Sequence, residues 1–162
     1  MKKNQTTIAA EPGKQEYFIA REFEAPRELV FKVFTDPDLV VQWFGPRDLT
    51  MRIETYDAKP GGSYRYFHFR NDKPVCAFNG VFHECTSPER IIQTFEFEGL
   101  PEKGHVCLST TRFEPLPDNR TKVIMQDLYQ SVADRDAALK SGMESGINES
   151  NERLDELLEK LS

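Results

Sequence analysis

A chain of 162 residues, 38% hydrophobic and 30% charged, has the composition of one ordinary globular domain and can enclose a substantial core. A formal net charge of -6 with no cluster of lysine and arginine excludes the basic face that nucleic acid or an anionic membrane surface requires. No stretch reaches transmembrane length, so membrane insertion is not expected.

The N-terminal MKKNQTTIAAEPGKQ has two lysines and no apolar run behind them, so it does not read as a signal peptide. Residues 1–14 are polar, close on Pro12-Gly13 and read as a flexible tail, leaving 15–162 as a single domain. EYFIAREFEA alternates as a first strand. Pro26 then marks the first turn of a helix whose Leu29, Val30, Val33 and Phe34 share one face. Asp36 is placed to cap a second short helix that Gly45-Pro46 stops. The sole tryptophan, Trp43, and its neighbour Phe44 end that helix. There they are expected to act as packing plug and as wall of a cavity end, packing taking the larger share.

Six further strands follow, rich in β-branched and aromatic residues: MRIETYDA, SYRYFHFR, VCAFNGVFHEC, RIIQTFEFE, HVCLSTTRFE and TKVIMQDLY. Short turns such as Lys59-Pro60-Gly61-Gly62 and Pro117-Asp118-Asn119 separate them, which favours an antiparallel meander. Ser131 reads as the N-cap of a last helix whose apolar stripe includes Leu139, Met143, Ile147, Leu154, Leu157, Leu158 and Leu161. The stripe predicts one helix of roughly 30 residues, about 45 Å long, with Ser150 as its weak spot. Covering a curved antiparallel sheet with that helix makes an α+β helix-grip fold, β-α-α-β6-α.

Three cysteines without CxxC spacing read as reduced strand residues of a cytoplasmic protein. Tyr64, Tyr66 and His68 alternate along one strand and project from one face, opposite Arg65, Phe67 and Phe69. Aromatic rings with polar tips suit a cavity wall. Gly142 and Gly146 sit one turn apart in the expected helix, either for close packing on the sheet or to leave room for a ligand beside the adaptable Met143. No metal-ligand spacing, GxSxG, phosphate loop or dinucleotide fingerprint occurs, so neither metal nor cofactor is expected. Among the carboxylates Glu54, Glu84, Glu96, Glu98, Glu114 and Asp127, most are expected on solvated faces, and one facing inward could serve as acid or base.

FEAPRELVFKVFTDPDLVVQWFGP at 23–46, KPGGSYRYFHF at 59–69, FNGVFHECTSPERIIQTFEF at 78–97 and RFEPLPDNRTKVIMQ at 112–126 together resemble the START-like (SRPBCC) superfamily. Within it they are most similar to the group named after the C-terminal domain of the activator of Hsp90 ATPase, over about residues 15–161. The resemblance implies a helix grip with a cavity between sheet and C-terminal helix. Members bind lipids, polyketides, hormones or other apolar molecules, some are cyclases or hydrolases, and eukaryotic relatives help stimulate Hsp90. Where relatives commonly carry Gly-Trp in the last helix this chain has Gly146-Ile147, which should widen or reshape the cavity.

The expectation is therefore a binder of a small apolar or amphipathic molecule, with Trp43, Phe44, Tyr64, Tyr66, His68, Phe78, Phe95, Met143 and Ile147 near the ligand. A cyclase- or hydrolase-type enzyme would use the same cavity with an inward His68 or a carboxylate. An Hsp90-type interaction module is the third reading, weakened because only about 14 residues precede the fold. A homodimer is left open.

Overall fold

The structure is a computed structural model that describes residues 4–162. Its elements are β1 (Thr7–Ala9), β2 (Glu16–Phe23), α1 (Arg27–Thr35), α2 (Pro37–Val40), β3 (Thr50–Tyr56), β4 (Ser63–Arg70), β5 (Lys73–Thr86), β6 (Arg90–Phe97), β7 (Val106–Leu116), β8 (Arg120–Leu128), α3 (Val132–Lys140) and α4 (Met143–Leu161). The strands form one 8-stranded antiparallel sheet in the order β1-β2-β8-β7-β6-β5-β4-β3. It is the α+β helix grip expected, with three differences.

The first lies in the stretch read as a flexible tail, where Thr7–Ala9 pairs with Phe18–Ala20 as an edge strand. The part of that expectation covering residues 1–3 falls outside the described residues. The second is that the long helix is two helices. Gly142 takes a φ of +85° between them, a left-handed conformation that glycine adopts without steric cost. The third is that α2 ends at Val40, and Trp43 and Phe44 ride a further turn in which both N–H groups bond to the Val40 carbonyl.

Register sorts the side chains. Tyr17, Ile19, Arg21 and Phe23 on β2 face the same side as Asp127, Met125, Val123 and Thr121 on β8, their direct partners. That side is concave and receives α4: Arg21, buried there, pairs with Asp155 of α4 through two bonds of 2.7 and 2.6 Å. The second half of α4 closes one half of the concavity, Leu154, Leu157 and Leu158 joining Phe23, Phe113 and Val123 in the core. α1 seals the flank with Phe31 edge-on to Phe113 at 5.2 Å. Among the described residues no helix is long and apolar enough to cross a membrane.

Candidate functional site

The aromatic wall begins at the turn after α2. Trp43 is buried and its indole N–H donates to the Val33 carbonyl at 2.9 Å. From its ring a chain of contacts crosses the sheet: Trp43 to Phe44 at 5.3 Å, Phe44 to Tyr66 at 5.6 Å, Tyr66 to Phe78 at 5.2 Å and Phe78 to Phe95 at 5.1 Å. Tyr64 stacks beside Tyr66 at 6.1 Å, and its hydroxyl donates to the Thr94 carbonyl. These rings therefore form one surface spanning β4, β5 and β6.

His68 lies against Phe44, Tyr66 and Phe78 and is 4% exposed, yet its Nδ1 has no hydrogen-bond partner. Burial, with Arg153 nearby, lowers its pKa and favours the neutral ring. Gly45 covers it. A Cβ there would fall 2.4 Å from the His68 Cε1, and the φ of +103° also demands glycine. The turn bearing Trp43, Phe44 and Gly45 is pinned to α4: the Gly45 N–H donates to Ser150 Oγ at 2.8 Å, and Arg153 donates to the carbonyls of Gly45 and Gln42. The weak spot in the apolar stripe is thus a clasp.

Met143 and Ile147 behave differently. Both are half-buried on the first turns of α4 and neither belongs to the packed cluster that holds Trp43, Phe44, Tyr64, Tyr66, Phe78 and Phe95. At helical spacing they share the inward stripe with Gly146, Ser150, Leu154 and Leu157. A Cβ placed on Gly146 would meet nothing within 4 Å, so this glycine does not mark close packing on the sheet. The inward side of α4 packs into the core along its second half, whereas along its first half Met143 and Ile147 are half-buried and the space at the Gly146 Cβ position is open.

The facing wall has a matching character. Phe78, Phe95, Gln93 and Met125 all point to the concave side and remain only half-buried. Among the carboxylates named from sequence, Glu54 pairs with Arg65, Glu84 with Arg90, and Glu98 with Arg65. Asp127 is the inward one. It is half-buried between Tyr17 and Ser109, its direct strand partners, and its Oδ1 is enclosed without a hydrogen-bond partner. Burial raises its pKa. The sequence carried a signal for it, since the alternation of Val123, Met125 and Asp127 gives it the core side of β8. Of its neighbours, Ser109 comes from the preceding strand of the β7–β8 hairpin, and Tyr17 comes from β2, remote in sequence, where nothing local signalled the pairing.

On this wall burial raises the pKa of the Cys107 thiol, which disfavours the reactive thiolate. Among the described residues no group of three or more histidine, cysteine or carboxylate side chains could hold a metal. Two surface depressions, of about 410 Å³ beside Glu156, Glu159 and Lys160 and about 310 Å³ beside Asn4, Arg21 and Asn148, are rimmed by charged and amide groups without an apolar wall.

The sequence profile of the activator of Hsp90 ATPase homolog 1-like proteins matches residues 24–159. Among solved structures, a Rhodobacter sphaeroides protein is 23% identical, with a TM-score of 0.83 over 99% of this chain and 100% of its own. An Arthrobacter aurescens protein is 24% identical at a TM-score of 0.84, covering 95% of this chain and 91% of that one. A Mycobacterium smegmatis protein is 20% identical at 0.84, covering 95% and 97%. These likenesses establish a shared fold. No curated protein matches the sequence significantly.

Proposed function

Because this chain belongs to the family of activator of Hsp90 ATPase homolog 1-like proteins, and carries that fold with its concave face only half filled, we propose that it binds a small apolar or amphipathic molecule between the sheet and the first turns of α4. The observation that carries the reading is Gly146: it sits on the inward stripe of α4, and its Cβ position is empty. Protein interiors are packed to the density of organic crystals, and space left beneath a helix forfeits dispersion contacts on both of its walls. An enclosed apolar ligand restores them, driven by burial at roughly 25 cal/mol per Å² of apolar surface. Phe78, Phe95, Met125, Met143 and Ile147 supply that surface, and Trp43 and Phe44 close the end against His68.

The test is native mass spectrometry of the purified protein with organic extraction of whatever it carries, repeated on Gly146→Leu. A leucine fills the space and removes a helix-interior glycine, so the variant is expected to be more stable by about 0.5–1 kcal/mol and to carry nothing. A variant that still takes up the same compound would show that the space under Gly146 is not the site.

A further inference from the structure

One row of side chains interrupts the apolar concave wall. Tyr17 on β2, Asp127 on β8, Ser109 on β7 and Gln93 on β6 are direct partners in consecutive strand pairs, so all four face the same way at one level of the sheet. On one side of the row lie Ile19, Met125, Thr111 and Ile91, and on the other Phe95 and Cys107. Tyr17 and Ser109 are 4% and 6% exposed. The Tyr17 hydroxyl also lies 3.0 Å from that of Tyr129.

Buried polar side chains in a core normally saturate one another, and this group does not: Asp127 sits between Tyr17 and Ser109, and its Oδ1 is enclosed without a hydrogen-bond partner. Among the described residues no arginine, lysine or histidine contacts it; its neighbours are hydroxyl groups and the Cys107 thiol. Burial in that setting raises the carboxyl's pKa and shifts it toward the neutral acid, whose proton is a hydrogen-bond donor. Asp127 keeps part of its surface accessible, and its neighbours Met125 and Gln93 are half-buried, so the row borders the unfilled half of the concavity.

Resting on the ligand-binding reading above, we propose that the Tyr17–Asp127–Ser109 row is a polar subsite that takes an uncharged oxygen group of the ligand, a carbonyl or hydroxyl, while the aromatic wall holds its apolar body. Asp127 donates to the oxygen from its carboxyl, and Tyr17 and Ser109, its direct neighbours on either side, hold the carboxyl in place. An ammonium group is not the intended partner, because burial disfavours the charged carboxylate that would pair with it.

The experiment uses the full chain and the neutral dye N-phenyl-1-naphthylamine, displaced by 2-acetylnaphthalene, by its hydrocarbon counterpart 2-isopropylnaphthalene and by 2-(aminomethyl)naphthalene. The ratio of ketone to hydrocarbon affinity in the native protein is expected to exceed that in Asp127→Leu by about tenfold. Taking the ratio within each protein removes differences in overall hydrophobicity and in cavity shape. Asp127→Asn, which keeps a donor, should retain most of the preference, and Tyr17→Phe, which loosens the carboxyl, should lose part of it. If Asp127→Leu does not fold, the Asn and Phe variants carry the same comparison. Dye uptake with one ratio across all variants overturns the subsite and leaves the cavity standing. A preference for the amine overturns the uncharged-oxygen assignment. No uptake of dye or naphthalenes overturns the subsite together with the cavity.

Discussion

Replacing Trp43 by phenylalanine tests how the end of α1 is held. In the helical ladder the Val33 carbonyl would accept from the residue four positions on, but that residue is Pro37, which has no N–H. The Trp43 indole supplies the missing donor at 2.9 Å in a fully buried setting. Phenylalanine keeps much of the ring contact with Phe34, now at 4.8 Å, and with Phe44, but strands the carbonyl. A stranded buried acceptor costs about 1–3 kcal/mol, and the lost part of the indole adds about 1 kcal/mol. Trp43→Phe should therefore lose about 2–4 kcal/mol. Urea unfolding followed by far-ultraviolet circular dichroism is the assay, since the variant has no tryptophan to report. Tyr56→Phe is the companion: its hydroxyl donates to the next carbonyl, Phe34, at 2.8 Å, and its loss should cost about 1–2 kcal/mol with almost no change of volume. A Trp43→Phe variant within about 0.5 kcal/mol of the native protein at unchanged m-value would refute the donor argument.

Asp155→Ala leaves the buried Arg21 guanidinium without its two-pronged partner and should cost about 2–4 kcal/mol by denaturant titration, short of a fully enclosed pair because Asp155 keeps 33% of its side chain exposed. Gly142→Ala places a side chain at a φ of +85° with open space around it, so a loss of about 1 kcal/mol would be purely conformational. The two histidines oppose each other in pH. His68, lowered by burial, contributes stability that is lost as pH falls from about 6.5 through its folded value. His105, raised chiefly by its bond to Asp134 and then by Glu102, contributes stability present below about 6.5 and lost as pH rises through its folded value. Unfolding curves from pH 5 to 8 should therefore flatten on the acid side for His68→Phe and on the alkaline side for His105→Asn.

The strands were legible because alternation and turn residues are local signals. SYRYFHFR states its own parity, and Tyr64, Tyr66 and His68 do face inward while Arg65 and Phe67 stack against each other outside. The same logic explains the misses. β1 spans three residues, too few for a period, and exists through pairing with β2. The break between α3 and α4 is invisible to apolar periodicity, and Gly142 reads equally as a costly interior glycine or as a left-handed stop. Asp127 was one carboxylate among six candidates until the register put Tyr17 and Ser109 on either side of it. Register joins residues more than a hundred positions apart, and a single sequence does not print it.

The concave face is built as two unequal halves by one helix, and this division bears on how a ligand could enter. Leu154, Leu157 and Leu158 close the first half with side chains that are almost wholly buried, and the Arg21–Asp155 pair locks it. The other half of α4 begins after a left-handed glycine and presents Gly146 and half-buried Met143 and Ile147. Ser150 and Arg153 stand at the boundary, bonded to the turn that carries Trp43 and Phe44. Stability is therefore concentrated where the helix has leucines, and the segment with few buried contacts is the one that opens most readily. On the ligand-binding proposal, a molecule entering beneath Met143 and Ile147 need not disturb the core at Leu154, because the clasp at Ser150 stands between the two halves of α4.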